Sequence, residues 1–148
     1  MFRLFLALLA LLLFASFTST ETIYLGAGTP IALTVNEEIN SELVEIGRVV
    51  ELLVKSDVTV DGKVLIAAGT LAEGSVSEVS KLCRACAYSC PSISIKVENV
   101  QAVDGQRVYL KGLPHTVKKA CGSYQAAKIE IGTTLRARIL NNMRIGVE

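Results

Sequence analysis

The sequence predicts an all-β protein: a small closed or partly open β-barrel of about nine short strands joined by Gly-Thr and Asp-Gly turns. Three observations predict it. A phrase occurs three times, at Tyr24–Val35, Leu65–Val76 and Ile129–Ile139, running strand-like residues into Gly-Thr and then alternating. Aligned on Thr29, Thr70 and Thr133, small or apolar residues fall two, four and six places on: Ile31, Leu33, Val35; Ala72, Gly74, Val76; Leu135, Ala137, Ile139. That is the spacing of one face of a β-strand. Second, Asp-Gly stands between β-branched runs at Asp61-Gly62 and Asp104-Gly105, where Gly supplies the positive φ of a tight hairpin. Third, signals for helix are few. Closure suits such repeated units, because it hides strand edges that an open sheet leaves unpaired.

The elements follow in order. Ile23–Leu25 and Ile31–Val35 read as two short strands joined across the Gly26–Pro30 turn. Residues Asn36–Ile46 are polar and Glu-rich, fitting either a short helix capped by Asn36 or a loop. Arg48–Val54 is an apolar strand. Val58–Val60 and Lys63–Ile66 form a hairpin about Asp61-Gly62, and the same device is expected between Val100–Val103 and Arg107–Leu110. Ile93–Val97 alternates as a half-buried strand. Between Lys111 and Lys128 the pattern breaks at Gly112, Pro114 and Gly122, with a helical turn expected at Thr116–Ala120.

The chain has 148 residues, enough for one domain with a core. Residues 1–20 read as a secretory signal peptide and 21–148 as a single β-barrel domain. Leu4–Ala15 is unbroken Leu, Phe and Ala behind Arg3, followed by Ser16, Thr18, Ser19 and Thr20. The apolar run is about 12 residues, short of the roughly 20 that span a bilayer. The expected location is periplasmic or otherwise extracytoplasmic. Contact with a membrane is expected only through an uncleaved N-terminal segment. Lys plus Arg number 15 and Asp plus Glu 14; without Arg3 the counts are 14 and 14. A neutral domain with no Trp argues against nucleic acid as a partner.

Several of these motifs occur together in a known order. Gly28-Thr29 precedes an alternating strand and Ile39-Asn40-Ser41. Ser56-Asp57-Val58 follows, then Val64 through Gly69-Thr70 with Gly74, and Val100 through Asp104-Gly105. This order resembles the C-terminal periplasmic β-barrel of conjugation and type IV secretion scaffold proteins of the VirB10/TrbI kind. It is also similar to small exported bacterial proteins with the same strand pattern. The likeness covers residues 22–110 and Gly132-Thr133. It implies the barrel and the compartment. Asn40-Ser41-Glu42 stands in place of that family's Ser-Asp, and Ala67 in place of its Pro. That family carries a membrane helix, a long Pro-rich linker and an inserted pore-forming hairpin; this sequence shows no such linker, and only about 17 residues lie where the hairpin could sit. A secretion role is therefore not carried over.

The candidate site residues are four cysteines: Cys83, Cys86, Cys90 and Cys121. The first three lie in Leu82–Pro91, a loop interrupting the β pattern. An even count in an exported domain favours two disulfides. Cys121 has no near neighbour, so it must join one of the cluster. That bridge ties the irregular 112–128 segment to the barrel and closes a loop of about 31 to 38 residues. The alternatives are a tetrahedral zinc site and a redox dithiol at Cys83–Cys86, which ordinarily needs a helix start to stabilise its thiolate.

Other residues carry weaker signals. Gly26–Thr29 superficially suggests a phosphate loop, but a strand with Pro30 follows where a helix is required. His115 is the only histidine and reads as a loop residue. Asp57, Asp61 and Asp104 read as turn formers. Tyr88, Tyr109 and Tyr124 could line a recognition surface, with Tyr109 on a strand. No Gly-x-Ser-x-Gly or His-Glu-x-x-His occurs. The expected function is a non-enzymatic protein–protein binding or assembly module of the cell envelope. It has no cofactor, and its partners are envelope proteins or a second copy. The alternatives are a metal or redox protein and a domain binding a ligand or carbohydrate through rim loops.

Overall fold

The computed structural model describes residues 20–86 and 88–148. The segment read as a signal peptide therefore lies outside the described residues, apart from Thr20. Among the described residues every regular element is a strand. In order they are β1 (Glu21–Leu25), β2 (Pro30–Val35), β3 (Ile39–Asn40), β4 (Val49–Val54), β5 (Val58–Val60), β6 (Lys63–Ile66) and β7 (Leu71–Ser80). There follow β8 (Ser92–Gln101), β9 (Arg107–Lys111), β10 (His115–Lys118), β11 (Lys128–Ile129), β12 (Thr134–Ile139) and β13 (Met143–Val147).

Six of these close a barrel. The neighbours run β8-β7-β4-β2-β12-β9, and β9 pairs back to β8. All the pairings are antiparallel. Among the described residues there are thirteen strands, where about nine were expected. The seven strands outside the six-strand wall form short ladders: β1 with β13, β3 with β11, β5 with β6, and β10 added onto β8.

Period-two burial builds the core. Ile31, Leu33 and Val35 of β2 point inward, as do Val50, Leu52 and Val54 of β4 and Leu135, Ala137 and Ile139 of β12. Ala72 and Val76 of β7, Ile93, Ile95 and Val100 of β8, and Val108 and Leu110 of β9 also line it. At about 25 cal/mol per Å² of apolar surface, this burial is the main favourable contribution to folding.

The Gly-Thr phrase is a clamp between strands. Gly28, Gly69 and Gly132 have φ of +87°, +79° and +84°, which suits the third position of a type II turn. In the first copy the Gly28 N–H donates to Ile139 O at 2.8 Å, and the Ile139 N–H donates to Thr29 O at 2.9 Å. The turn before β2 so grips the end of β12. Reciprocally, the turn before β12 grips the end of β2: Gly132 N–H to Val35 O and Val35 N–H to Thr133 O, both 2.9 Å. The turn before β7 holds Val54 of β4 in the same way.

The structure also holds a fourth copy. Gly47, at φ +89°, donates to Val76 O at 2.8 Å, and the Val76 N–H donates to Arg48 O at 2.9 Å. Counted from Arg48, the residues two, four and six places on are Val50, Leu52 and Val54, all buried. The register is symmetric in both strand pairs. Ala32 faces Arg136 in one and Glu51 faces Glu73 in the other, each three places beyond its turn. The barrel thus contains two mutually clamped pairs, β2 with β12 and β4 with β7.

Four local expectations are corrected or resolved. β1 and β2 are the two strands expected on either side of the Gly26–Pro30 turn, but they do not pair with each other: β1 pairs with β13 over its whole length, and the Gly26–Thr29 turn clamps β12. The Asp104-Gly105 turn is not the two-residue device of Asp61-Gly62. At Asp61-Gly62 both residues have positive φ, 51° and 76°. At Asp104-Gly105 only the glycine does, and Ala102 N–H to Gln106 O closes a three-residue loop with a glycine bulge. Residues 36–46 hold turns and β3, which pairs with β11, and no helix. Finally, where a helical turn was expected at Thr116–Ala120, Thr116 through Lys118 belong to strand β10. Thr116 and Val117 pair with Ser94 and Ile93, and the Ser94 and Thr116 hydroxyls bond at 2.7 Å.

Candidate functional site

The two irregular segments meet at one rim of the barrel. β7 ends at Ser80 and β8 begins at Ser92, so the cysteine loop is the connection between the two longest strands. Residues 119–125 follow β10, whose ladder on β8 brings them alongside. Main-chain bonds join them: Lys119 N–H to Pro91 O at 2.9 Å and Gly122 N–H to Ser89 O at 2.7 Å.

The cysteines form two pairs at disulfide distance. Cys83 joins Cys86, with Cα atoms 5.3 Å apart, and Cys90 joins Cys121 at 4.1 Å. Both separations are near the range natural disulfides occupy. Cys121 thus takes Cys90 as its partner in the cluster. No cysteine among the described residues stands outside these two pairs. No group of three or more His, Cys, Asp or Glu that could hold a metal occurs among the described residues.

Ser89 organises the loop from inside. It is buried; its hydroxyl accepts the Cys83 N–H at 2.9 Å and lies 3.5 Å from Lys81 O. Glu42 accepts the Leu82 N–H at 2.6 Å, and Lys81 pairs with Glu45. These contacts fix the loop's base. Its outer side stays open: Tyr88 and Tyr124 are 86% and 80% exposed. Between the two segments is a cavity of about 270 Å³ lined by Cys83, Arg84, Cys86, Ser89 and Tyr124.

The remaining candidates fall elsewhere. His115 is half-buried on β10 opposite Ile95. Tyr109 is on β9 with its ring half-exposed on the outer wall. The three aspartates serve turns. Asp57 accepts the Ala68 N–H at 2.6 Å, tying the start of β5 to the clamp turn before β7. Asp61 occupies the hairpin. Asp104 accepts from Gln106 N–H at 3.0 Å and from Gly146 N–H at 2.8 Å. Burial alone would raise the Asp104 pKa, but the Gln106 and Gly146 donors outweigh it, and the carboxyl is held below its ordinary value. Glu98 is also lowered, first by the Ser75 hydroxyl and, against some desolvation, by Lys96.

Sequence reading missed a second feature, on the wall. Lys111, Arg136 and Arg138 border an outer groove of about 980 Å³. Their signal was present in the alternation Arg136-Ala137-Arg138, of which only the apolar half entered the sequence reading. No helix among the described residues is long and apolar enough to cross a membrane. No protein-family model matches the chain, and no curated protein matches it.

Proposed function

We propose that this protein is a non-enzymatic binding or assembly module of the bacterial cell envelope, and that it grips a partner envelope protein through its disulfide-braced rim. One observation carries the reading: a stiff barrel presents two cross-tied segments with Tyr88 and Tyr124 facing outward. Tyrosine combines large apolar area with a polar tip, and is enriched where proteins meet. Holding such residues on a braced loop lowers the entropy lost on binding. The paired cysteines accord with an oxidising, extracytoplasmic compartment. The resemblance to secretion-scaffold barrels points the same way.

The test is affinity capture from the protein's own envelope fraction, comparing the native chain with Tyr88→Ala/Tyr124→Ala. The reading expects one envelope protein retained by the native chain and reduced at least about tenfold by the double variant, the effect of losing roughly 1.4 kcal/mol or more. Equal retention by both would refute the rim as the contact. Capture of no protein, with a small molecule found in the 270 Å³ cavity by native mass spectrometry, would favour the ligand-binding alternative.

A further inference from the structure

We propose that the outer groove over β2 and β12 is a second docking site, which takes an extended acidic segment of a partner protein. This deepens the protein-binding reading by naming a partner chemistry, at a wall separate from the rim. The outward positions of β12 are Thr134, Arg136 and Arg138. Across from them on β2 are Thr34, Ala32 and Pro30, so the cations face small neighbours and their heads stay clear. On the other flank Lys111 is the direct cross-strand partner of Arg138.

Like charges directly opposite each other in a sheet are destabilising. A nearby carboxylate would ordinarily relieve them. Here none does. The ion pairs among the described residues are Arg48–Glu37, Lys81–Glu45, Lys96–Glu98 and Lys128–Glu38. Lys111, Arg136 and Arg138 appear in none of them. Arg138 donates to Gly28 O at 3.0 Å, which orients its guanidinium over the groove and leaves its charge unbalanced. Three cations are thus placed by barrel strands around one depression without an anion to meet them.

Shape selects the kind of anion. The groove is concave and lined by Pro30 and Ala32 beneath the cations, with Leu113 standing at its lip, 92% exposed. A flat bilayer surface does not reach into a concave wall. An extended chain does. Acidic side chains at period two match the period-two spacing of Arg136 and Arg138, and arginine can take each carboxylate through two parallel N–H···O bonds. An apolar residue between them meets Leu113.

The test uses the full chain with both disulfides intact and two capped heptapeptides. One alternates Glu with Val and Thr; the other has Lys in place of every Glu. Amide NMR shifts report where each binds. The Glu peptide is expected to move the amides of Lys111, Arg136 and Arg138, with affinity falling as salt rises. Arg136→Glu/Arg138→Glu should weaken it at least about tenfold, and Lys111→Gln by a smaller factor. Lys111 is an exposed strand position, so K111Q still gives a reading if the double reversal fails to fold.

Equal binding of the Lys peptide, or no movement of those amides at millimolar Glu peptide, overturns the proposal. So does tighter binding, through the same residues, of phosphatidylglycerol vesicles or of an oligothymidylate. Tyr88→Ala/Tyr124→Ala should leave Glu-peptide binding unchanged. If the groove is silent while that variant loses its envelope partner, this inference fails alone; the converse result removes the rim reading alone.

Discussion

At Gly74, β7 passes so close to β8 that an added Cβ would lie 2.6 Å from the Lys96 carbonyl oxygen. The obstacle is backbone, which cannot rotate aside. A register irregularity between Glu73 and Gly74 marks the same place, where a long strand bends to close a narrow barrel. Gly74→Ala should therefore destabilise the fold by about 1–3 kcal/mol, read as a lower denaturant midpoint with an unchanged slope. Asp104 makes a separate prediction. Its folded pKa is lowered, so its contribution is present above the ordinary carboxylate value, about pH 4. It is lost as pH falls through the depressed folded value. Asp104→Asn should lower stability at pH 7 and make the acid side of the stability profile shallower, as thermal melts between pH 2 and 7 would show. A native and a variant profile that run parallel would contradict the assignment.

Among elements, the clamp turns show what a sequence can and cannot reveal. Three were legible because each needs glycine at positive φ and an apolar strand face after it. The fourth escaped because Arg48 stands where the others have threonine. The threonine hydroxyl bonds the turn's first carbonyl at Thr29 and Thr133, 2.7 Å in each, yet the clamp itself is main-chain and needs only the glycine. The pairings of β2 with β12 and of β1 with β13 join opposite ends of the chain, so local pattern could not supply them. The β4–β7 pair sets Glu51 directly opposite Glu73. Glu51→Lys should turn repulsion into attraction and stabilise by about 0.2–1 kcal/mol, measured by denaturation at low salt; a loss of stability would contradict the register.

The disulfides differ in the same physical way. Cys90–Cys121 spans 31 residues of chain and Cys83–Cys86 spans three. Chain entropy gives the longer loop about 3–4 kcal/mol and the shorter about 2. Cys90→Ser/Cys121→Ser should accordingly lower the melting temperature more than Cys83→Ser/Cys86→Ser. The reverse order would mean that the small loop holds the rim.

For the whole molecule, the barrel is a frame whose distinctive parts lie outside the repeat. The sequence located the cysteine loop and the 112–128 segment as the unusual stretches, because both interrupt an otherwise even β pattern. It did not reveal that β10 continues onto β8 and thereby places Cys121 beside Cys90. Nor did it reveal the cationic groove, whose members come from β9 and β12 and meet only through barrel closure. The central claim is that the braced rim is the surface that grips an envelope protein. Site-specific photocrosslinking in intact cells tests it most directly, with the photoreactive side chain placed at Tyr124 and, as a control, at Glu51 on the outer face of β4. The account predicts a discrete adduct with one envelope protein from position 124 and none from position 51. Adducts of equal yield from both positions, or none from position 124, would contradict it.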